Sequence, residues 1–412
     1  MRIIQISSRF PYPPDDGGRI SVWHITYQLR ELGHDVWLVT FAEKQTTPEH
    51  IQFLRQTVTR LTVLPPQRYS LLQYLISAVH PVPIHVRKRS TPEILQVARK
   101  IGQQAAEWDC IHVDRSGMIS MGLEVSGISK KPIAVRMHNV EWVIWQRFAQ
   151  QFPFWHPARW YLQRQARLLR KWEKHLLSQV DLIIPITEPD GRRIAEEFGI
   201  EKPIVVIPAG VDPEYWKPVD GEQKRTDVVL VANFEWKPNI EGVEWFVQKV
   251  LPLLPSTITF HIAGKESDRA LRHLRGIPNV RIYGYLEDAR QFYGRALFTF
   301  VPLLSGGGIR IKILEAMAME LPVVTTTVGA EGIEAGEQQG VFRCDDPYRF
   351  AQAIQDLLSN PEWVKKLGKA ARQRILEKYT WRTLVQQMAD AYQRYLKHTS
   401  TAGAPQVHWT ES

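Results

Sequence analysis

The stretch LFTFVPLLSGGGIRIKILEAMAMELPVVTTT, residues 297–327, limits what this chain can fold into more than any other. It reads as a buried strand, a triple-glycine loop, an almost wholly apolar helix and a second buried strand. Three charged residues interrupt the apolar run: Arg310, Lys312 and Glu315. Gly306, Gly307 and Gly308 let backbone N–H groups approach an anion at the positive end of the following helix dipole. Two cations at that end are unfavourable unless an anion holds them. Glu315 follows about one turn later, so the pattern suits a nucleotide diphosphate on the cations with its ribose on the carboxylate. The same glycines also serve a plain strand-to-helix turn, with the three charges pairing among themselves. Glycines, two cations and a carboxylate on one strand–loop–helix unit favour the ligand reading.

Strands and helices alternate on both sides of this unit, as doubly wound α/β domains require. Residues 3–7 and 35–41 read as strands around an amphipathic helix over 20–32, which Gly33 ends. Gly17-Gly18-Arg19 then lies at the carboxyl end of the first strand, where open parallel sheets bind ligands. The spacing is not G-x-G-x-x-G and no acidic residue ends the second strand, which disfavours a nicotinamide cofactor. Further strands are expected at 61–64, 110–113, 132–137 and 181–185, the third of these running into His138-Asn139-Val140-Glu141. A second series, with strands at 228–232, 257–263 and 280–283, leads into 297–327. The expected division is a first domain over 1–188, a second over 189–379, a last helix at 380–398 crossing back to the first domain, and a disordered tail from 399. The charged run 220–227 reads as linker or surface loop.

At 412 residues the chain is long enough for about two to three domains. Its two cysteines, Cys110 and Cys344, have no metal spacing, which points to a reducing compartment. Met1-Arg2 runs straight into an apolar strand without a signal-peptide pattern, and no run of about 18 apolar residues exists. The expected location is cytoplasmic. A net charge of +9 favours anionic partners. Much of that charge sits in 140–177, where Trp142, Trp145, Trp155, Trp160 and Trp172 interleave with seven arginines and lysines. That composition fits peripheral contact with an anionic membrane face. Tryptophan and leucine at helical spacing equally fit a core face with solvated arginines. Both readings stay open; nucleic acid is disfavoured, because no recognised binding module accompanies the charge.

Several motifs carry a resemblance to GT-B glycosyltransferases, and more narrowly to glycosyltransferase family 4, in its bacterial exopolysaccharide-type branch. PYPPDDGGR before a helix resembles that family's opening, RMHNVEWVIWQR its HN-x-E region, and VIPAGVD its passage into the second domain. VANFEWKPNIEGVEWF resembles its G-x-x-x-W-x-PN-x-x-G-x-x-WF pattern, and GGGIRIKILEAMAMELPVV its G-G-G-x-R-x-K-x-LEAMA-x-G-x-PVV pattern. The resemblance implies two Rossmann-like domains facing a cleft, with the acceptor side in the first and the nucleotide-sugar donor in the second. It also implies sugar transfer to a glycan or lipid-linked acceptor, with retention, in surface-polysaccharide or glycolipid synthesis. The alternatives are a non-catalytic nucleotide-sugar-binding protein and a sugar-nucleotide epimerase on the same fold.

The expected site follows. Arg310 and Lys312 hold the diphosphate, Glu315 the ribose, and Gly306, Gly307 and Gly308 phosphate or sugar hydroxyls. Gly18 and Arg19 approach from the first domain. Leu286 takes the nucleobase-contacting position and His138 an acceptor or sugar contact, both by resemblance. No Asp-x-Asp motif ends a strand, so no obligatory metal and no further cofactor are expected. One departure stands out. The family pattern places two glutamates with seven residues between them; Glu315 is the second, and Gly307 occupies the place of the first.

Overall fold

The computed structural model describes residues 1–66, 71–218 and 226–396. The chain divides into two compact units, Met1–Pro208 with the residues from Leu384 onward, and Ala209–Thr383.

Six strands build the sheet of the first unit: β1 (Arg2–Ser7), β2 (Asp35–Phe41), β3 (Arg60–Leu64), β4 (Cys110–Asp114), β5 (Ile133–Met137) and β6 (Leu182–Pro185). They lie in the order β3-β2-β1-β4-β5-β6, and every pairing is parallel. The apolar runs that form them are buried on both faces, as crossover helices on each side demand. The second unit repeats the plan with β7 (Asp227–Val231), β8 (Phe260–Ala263), β9 (Val280–Ile282), β10 (Ala296–Val301), β11 (Val323–Thr325) and β12 (Val341–Arg343). Their order is β12-β11-β10-β7-β8-β9, again all parallel. The strand order reverses between β1 and β4 in one sheet and between β7 and β10 in the other. Open parallel sheets take their ligands beyond the carboxyl ends of such a pair.

The helix Gly17–Glu31 begins at Asp16, whose carboxylate accepts from the N–H groups of Gly18 and Arg19. The last helix, Trp381–Leu396, belongs to the first unit, where Tyr392 Oη meets Nδ1 of buried His112 at 2.5 Å. The return of the C-terminal helix is therefore as expected. The division between the units is not. It falls after Pro208, twenty residues beyond the expected 188, because residues 203–207 run back along β6. Ile183 N–H donates to Pro203 O, Val205 N–H to Ile183 O, and Ile207 N–H to Pro185 O. The segment thus extends the first sheet instead of opening the second. Most of the expected linker at 220–227 and the expected tail lie outside the described residues.

Candidate active site

At the reversal in the second sheet, the loop leaving β10 carries the three glycines. Gly306 and Gly308 have φ of +126° and +75°, values that glycine adopts without strain. A methyl at Gly306 would lie 2.7 Å from Nη2 of Arg310 and 2.8 Å from the Trp236 ring. Arg310 is only 6% exposed. Its Nη1 donates to Gly307 O, and its guanidinium lies 5.3 Å from the centre of the Trp236 ring. The helix Ile311–Ala318 starts directly after it.

Lys312 Nζ donates to Asn239 Oδ1 at 2.7 Å, and Asn239 Nδ2 donates to Asn233 O at 2.6 Å. The loop after β7 is thereby tied to the start of the helix after β10. Burial, reinforced by the Arg310 charge, pushes Lys312 down to about 7. Burial pushes Glu315 up to about 7, against the pull of Lys312. Tyr293 is raised by burial and then by the Glu315 charge, which marks it as a neighbour of that carboxyl group. Leu286 lies in the loop after β9, on the same carboxyl edge, and packs partly against the core of this unit. The cluster places two cations and a carboxyl group at a helix start whose first N–H groups are unpaired by the helix itself. It can neutralise a diphosphate leaving group through preorganised charge.

The first unit presents a different edge. Arg19 is 2% exposed, with Asp15 Oδ1 at 2.7 Å, Asp16 Oδ2 at 3.6 Å and the Glu43 carboxylate also on its guanidinium. It braces the loop after β1 against the end of β2 rather than standing as a spare cation. Gly18 donates its N–H to Asp16, and a methyl there would overlap Nη2 of Arg115, so a side chain at 18 would displace that guanidinium. His138, 11% exposed, lies 2.7 Å through Nε2 from Oδ1 of the fully buried Asp114. Desolvation is outweighed by the pull of His138, through its charged form and its hydrogen bond, with His112 and Arg115 adding to it. Asp114 is thus held well below the usual carboxylate range, so it accepts. Nε2 of His138 therefore carries the proton and Nδ1 keeps its lone pair. Burial, only partly offset by Asp114, keeps His138 below its ordinary value and hence neutral at pH 7.

Sequence reasoning placed Gly306, Gly307, Gly308, Arg310, Lys312 and Glu315 on one strand–loop–helix unit, and in the structure they lie on the loop after β10 and the helix Ile311–Ala318. It missed Trp236 and Asn239, whose PN signature was read only as part of a pattern. It also missed Asp114 and Arg115, which a strand ending in Asp-Arg at a ligand edge could have flagged. In 140–177, Trp142, Trp145 and Trp172 pack against the core, whereas Phe154, Trp155 and Trp160 are 70%, 68% and 64% exposed. No helix among the described residues is long and apolar enough to cross a membrane.

Residues 16–215 match the description "Glycosyltransferase Family 4", and residues 225–360 match "Glycosyl transferases group 1". An uncharacterized 44.6 kDa protein in the cps region of Klebsiella pneumoniae is 22% identical, over 92% of this chain and 96% of its own length. The MMP alpha-(1->4)-mannosyltransferase of Mycolicibacterium hassiacum is also 22% identical, over 92% of this chain and 94% of its own. Among solved structures, Anabaena HepE in complex with UDP superposes with a TM-score of 0.66 at 17% identity, covering 96% of this chain and 100% of that one. Two doubly wound units with ligand edges at both strand reversals, matched by these two descriptions in chain order, make this chain a GT-B glycosyltransferase of the family 4 type.

Proposed function

We propose that this transferase moves a sugar from a nucleotide-sugar donor to a glycan or lipid-linked acceptor, with retention, in surface-polysaccharide or glycolipid assembly. One observation carries the donor reading. Arg310 and Lys312 are two largely buried cations at one helix start, Arg310 donating to Gly307 O in the glycine loop and Lys312 to Asn239 Oδ1. Their charge goes to the diphosphate, which gains negative charge as the glycosidic bond breaks. Gly306, Gly307 and Gly308 supply backbone groups to phosphate or sugar hydroxyls, Glu315 accepts from the ribose hydroxyls, and Leu286 covers the base. Gly18 and the lone pair on Nδ1 of His138 serve the sugar or acceptor from the first unit. Arg19 keeps the Gly18 loop in place through Asp15, Asp16 and Glu43. These cations do the electrostatic work a metal does elsewhere, so transfer is expected to persist in excess chelator.

The test is a thermal-shift screen across UDP-, GDP- and ADP-sugars, followed by nucleotide release with candidate acceptors. Ligand in excess of its dissociation constant raises the melting temperature by mass action. Glu315→Gln and Arg310→Ala are each expected to weaken nucleotide binding by roughly 10- to 100-fold, as loss of a charged hydrogen bond does. Unchanged binding in both variants would overturn the site assignment.

The exposed Phe154, Trp155 and Trp160 support a second part of the proposal, peripheral contact with the inner membrane face. Aromatic rings at headgroup level beside Arg159 and other cations of the helix Pro157–Leu177 fit such a surface.

A further inference from the structure

Arg115 holds a backbone conformation that a side chain disfavours. Its φ of +80° and ψ of +146° fall in a region that only glycine takes readily. Lys130 and Glu266, with φ of 57° and 60°, sit in the ordinary left-handed helical region instead. A glycine at 115 would relieve the strain, yet the position carries a long cation.

The strain aims the side chain. Arg115 follows β4 directly, at the reversal of the first sheet. Its guanidinium reaches back over Gly18 at the start of the helix Gly17–Glu31, where a methyl would overlap Nη2. Its Nε is buried with no hydrogen-bond partner. Behind it, the turn at Gly117 presses against two more basic groups. A methyl there would lie 2.8 Å from Nε2 of His85 and 3.0 Å from Nη1 of Arg89. Nε2 of His85 is likewise buried without a partner. The charge on Arg115 reaches His138, His85, Asp114 and Glu141.

Among the described residues no carboxylate lies within ion-pair distance of Arg115, although Asp114 and Glu141 feel its charge. Asp114 is engaged by His138. Burial pushes Glu173 up to about 8, and it already accepts from the N–H groups of Glu141 and Trp142. Burial raises Glu141 as well, although Arg115 and Arg89 oppose this. Asp16 accepts from Gly18 and Arg19 and pairs with Arg9. A guanidinium presents a planar fork that matches two oxygens of one anion.

We propose that Arg115, with Gly18 clearing its path and Arg89 and His85 behind it, binds an oxyanion carried by the acceptor: a phosphate, a diphosphate or a sugar carboxylate beside the accepting hydroxyl. This rests on the reading above, in which the first unit holds the acceptor. The acceptor class is then anionic. A sugar phosphate, a lipid diphosphate sugar or a uronic acid qualifies, and a neutral glycan does not.

The experiment uses the full chain carrying both Arg310→Ala and Lys312→Ala, which removes the two cations of the second unit's site. Binding of inorganic pyrophosphate, glucose 1-phosphate, glucuronate and glucose is measured by calorimetry with Arg115 intact, Arg115→Lys and Arg115→Gly. At least one anion is expected to bind more tightly than glucose. Arg115→Gly should weaken it by about tenfold or more, and Arg115→Lys by less. Preference among pyrophosphate, glucose 1-phosphate and glucuronate tells phosphate from carboxylate. Arg115→Gly is also expected to keep or raise the melting temperature, because glycine fits this backbone. A purely structural arginine would do the reverse, lowering the melting temperature and leaving anion binding alone. Anion binding that survives Arg115→Gly, or is no tighter than glucose, overturns the proposal. So does a loss confined to nucleotide binding when the variant is made on the wild-type chain. Failure of the transferase reading shows separately, as absent nucleotide release with anion binding intact.

Discussion

Lys312 and Glu315 sit one turn apart, and burial moves both toward neutrality, which makes the proposed donor site pH-sensitive. Lys312 loses its proton as pH rises through about 7. A bound diphosphate favours the ammonium form and draws that value upward. Nucleotide binding is therefore expected to take up a proton above neutrality, and affinity to fall by up to about tenfold per pH unit there. Calorimetry in buffers of different ionisation heat counts the proton, and Lys312→Arg should abolish both effects. The chemistry at this helix start was legible because Arg310, Lys312 and Glu315 are close in sequence and share one turn. Arg19 was legible only as a cation beside glycines. Its partner Glu43 comes from beyond the end of β2, a contact that local spacing does not encode. The same holds for Asp114 with His138, which join the ends of β4 and β5.

Elements meet closely where the second site is built. Gly242, in the helix Lys237–Trp245, lies so near the end of β10 that a methyl would overlap Pro302 O. That approach sets Asn239, one turn earlier, against Lys312. Gly242→Ala is expected to destabilise the protein by about 1–3 kcal/mol, as overpacking does, and to weaken nucleotide binding through displaced Asn239. Denaturant unfolding and the thermal-shift screen read the two effects separately. Periodicity and apolar runs located the strands well, because a parallel sheet buried on both faces leaves a strong pattern. They misplaced the division between the units, because residues 203–207 pair with β6, and pairing between distant segments has no periodic signature.

At the scale of the whole molecule, the chain completes its first unit only with its last helix. Tyr392 on that helix meets His112, which burial holds at about 4 and therefore neutral. Tyr392→Phe removes the hydroxyl and is expected to cost about 1 kcal/mol, lowering the unfolding midpoint of the first unit while nucleotide binding in the second persists. Replacing Phe154, Trp155 and Trp160 by serine should abolish co-sedimentation with anionic vesicles at low salt without changing the melting temperature, since these rings are exposed. No co-sedimentation of the wild-type chain would remove the membrane contact altogether. The second unit, for its part, is an insertion in the sequence of the first. Val211 N–H donates to Tyr379 O, and Val211 and Thr380 are bridge partners, so the insertion begins and ends side by side. A segment whose two ends touch is a cassette. Such a block can be exchanged without rerouting the rest of the chain, and residues 209–383 are the block to transplant.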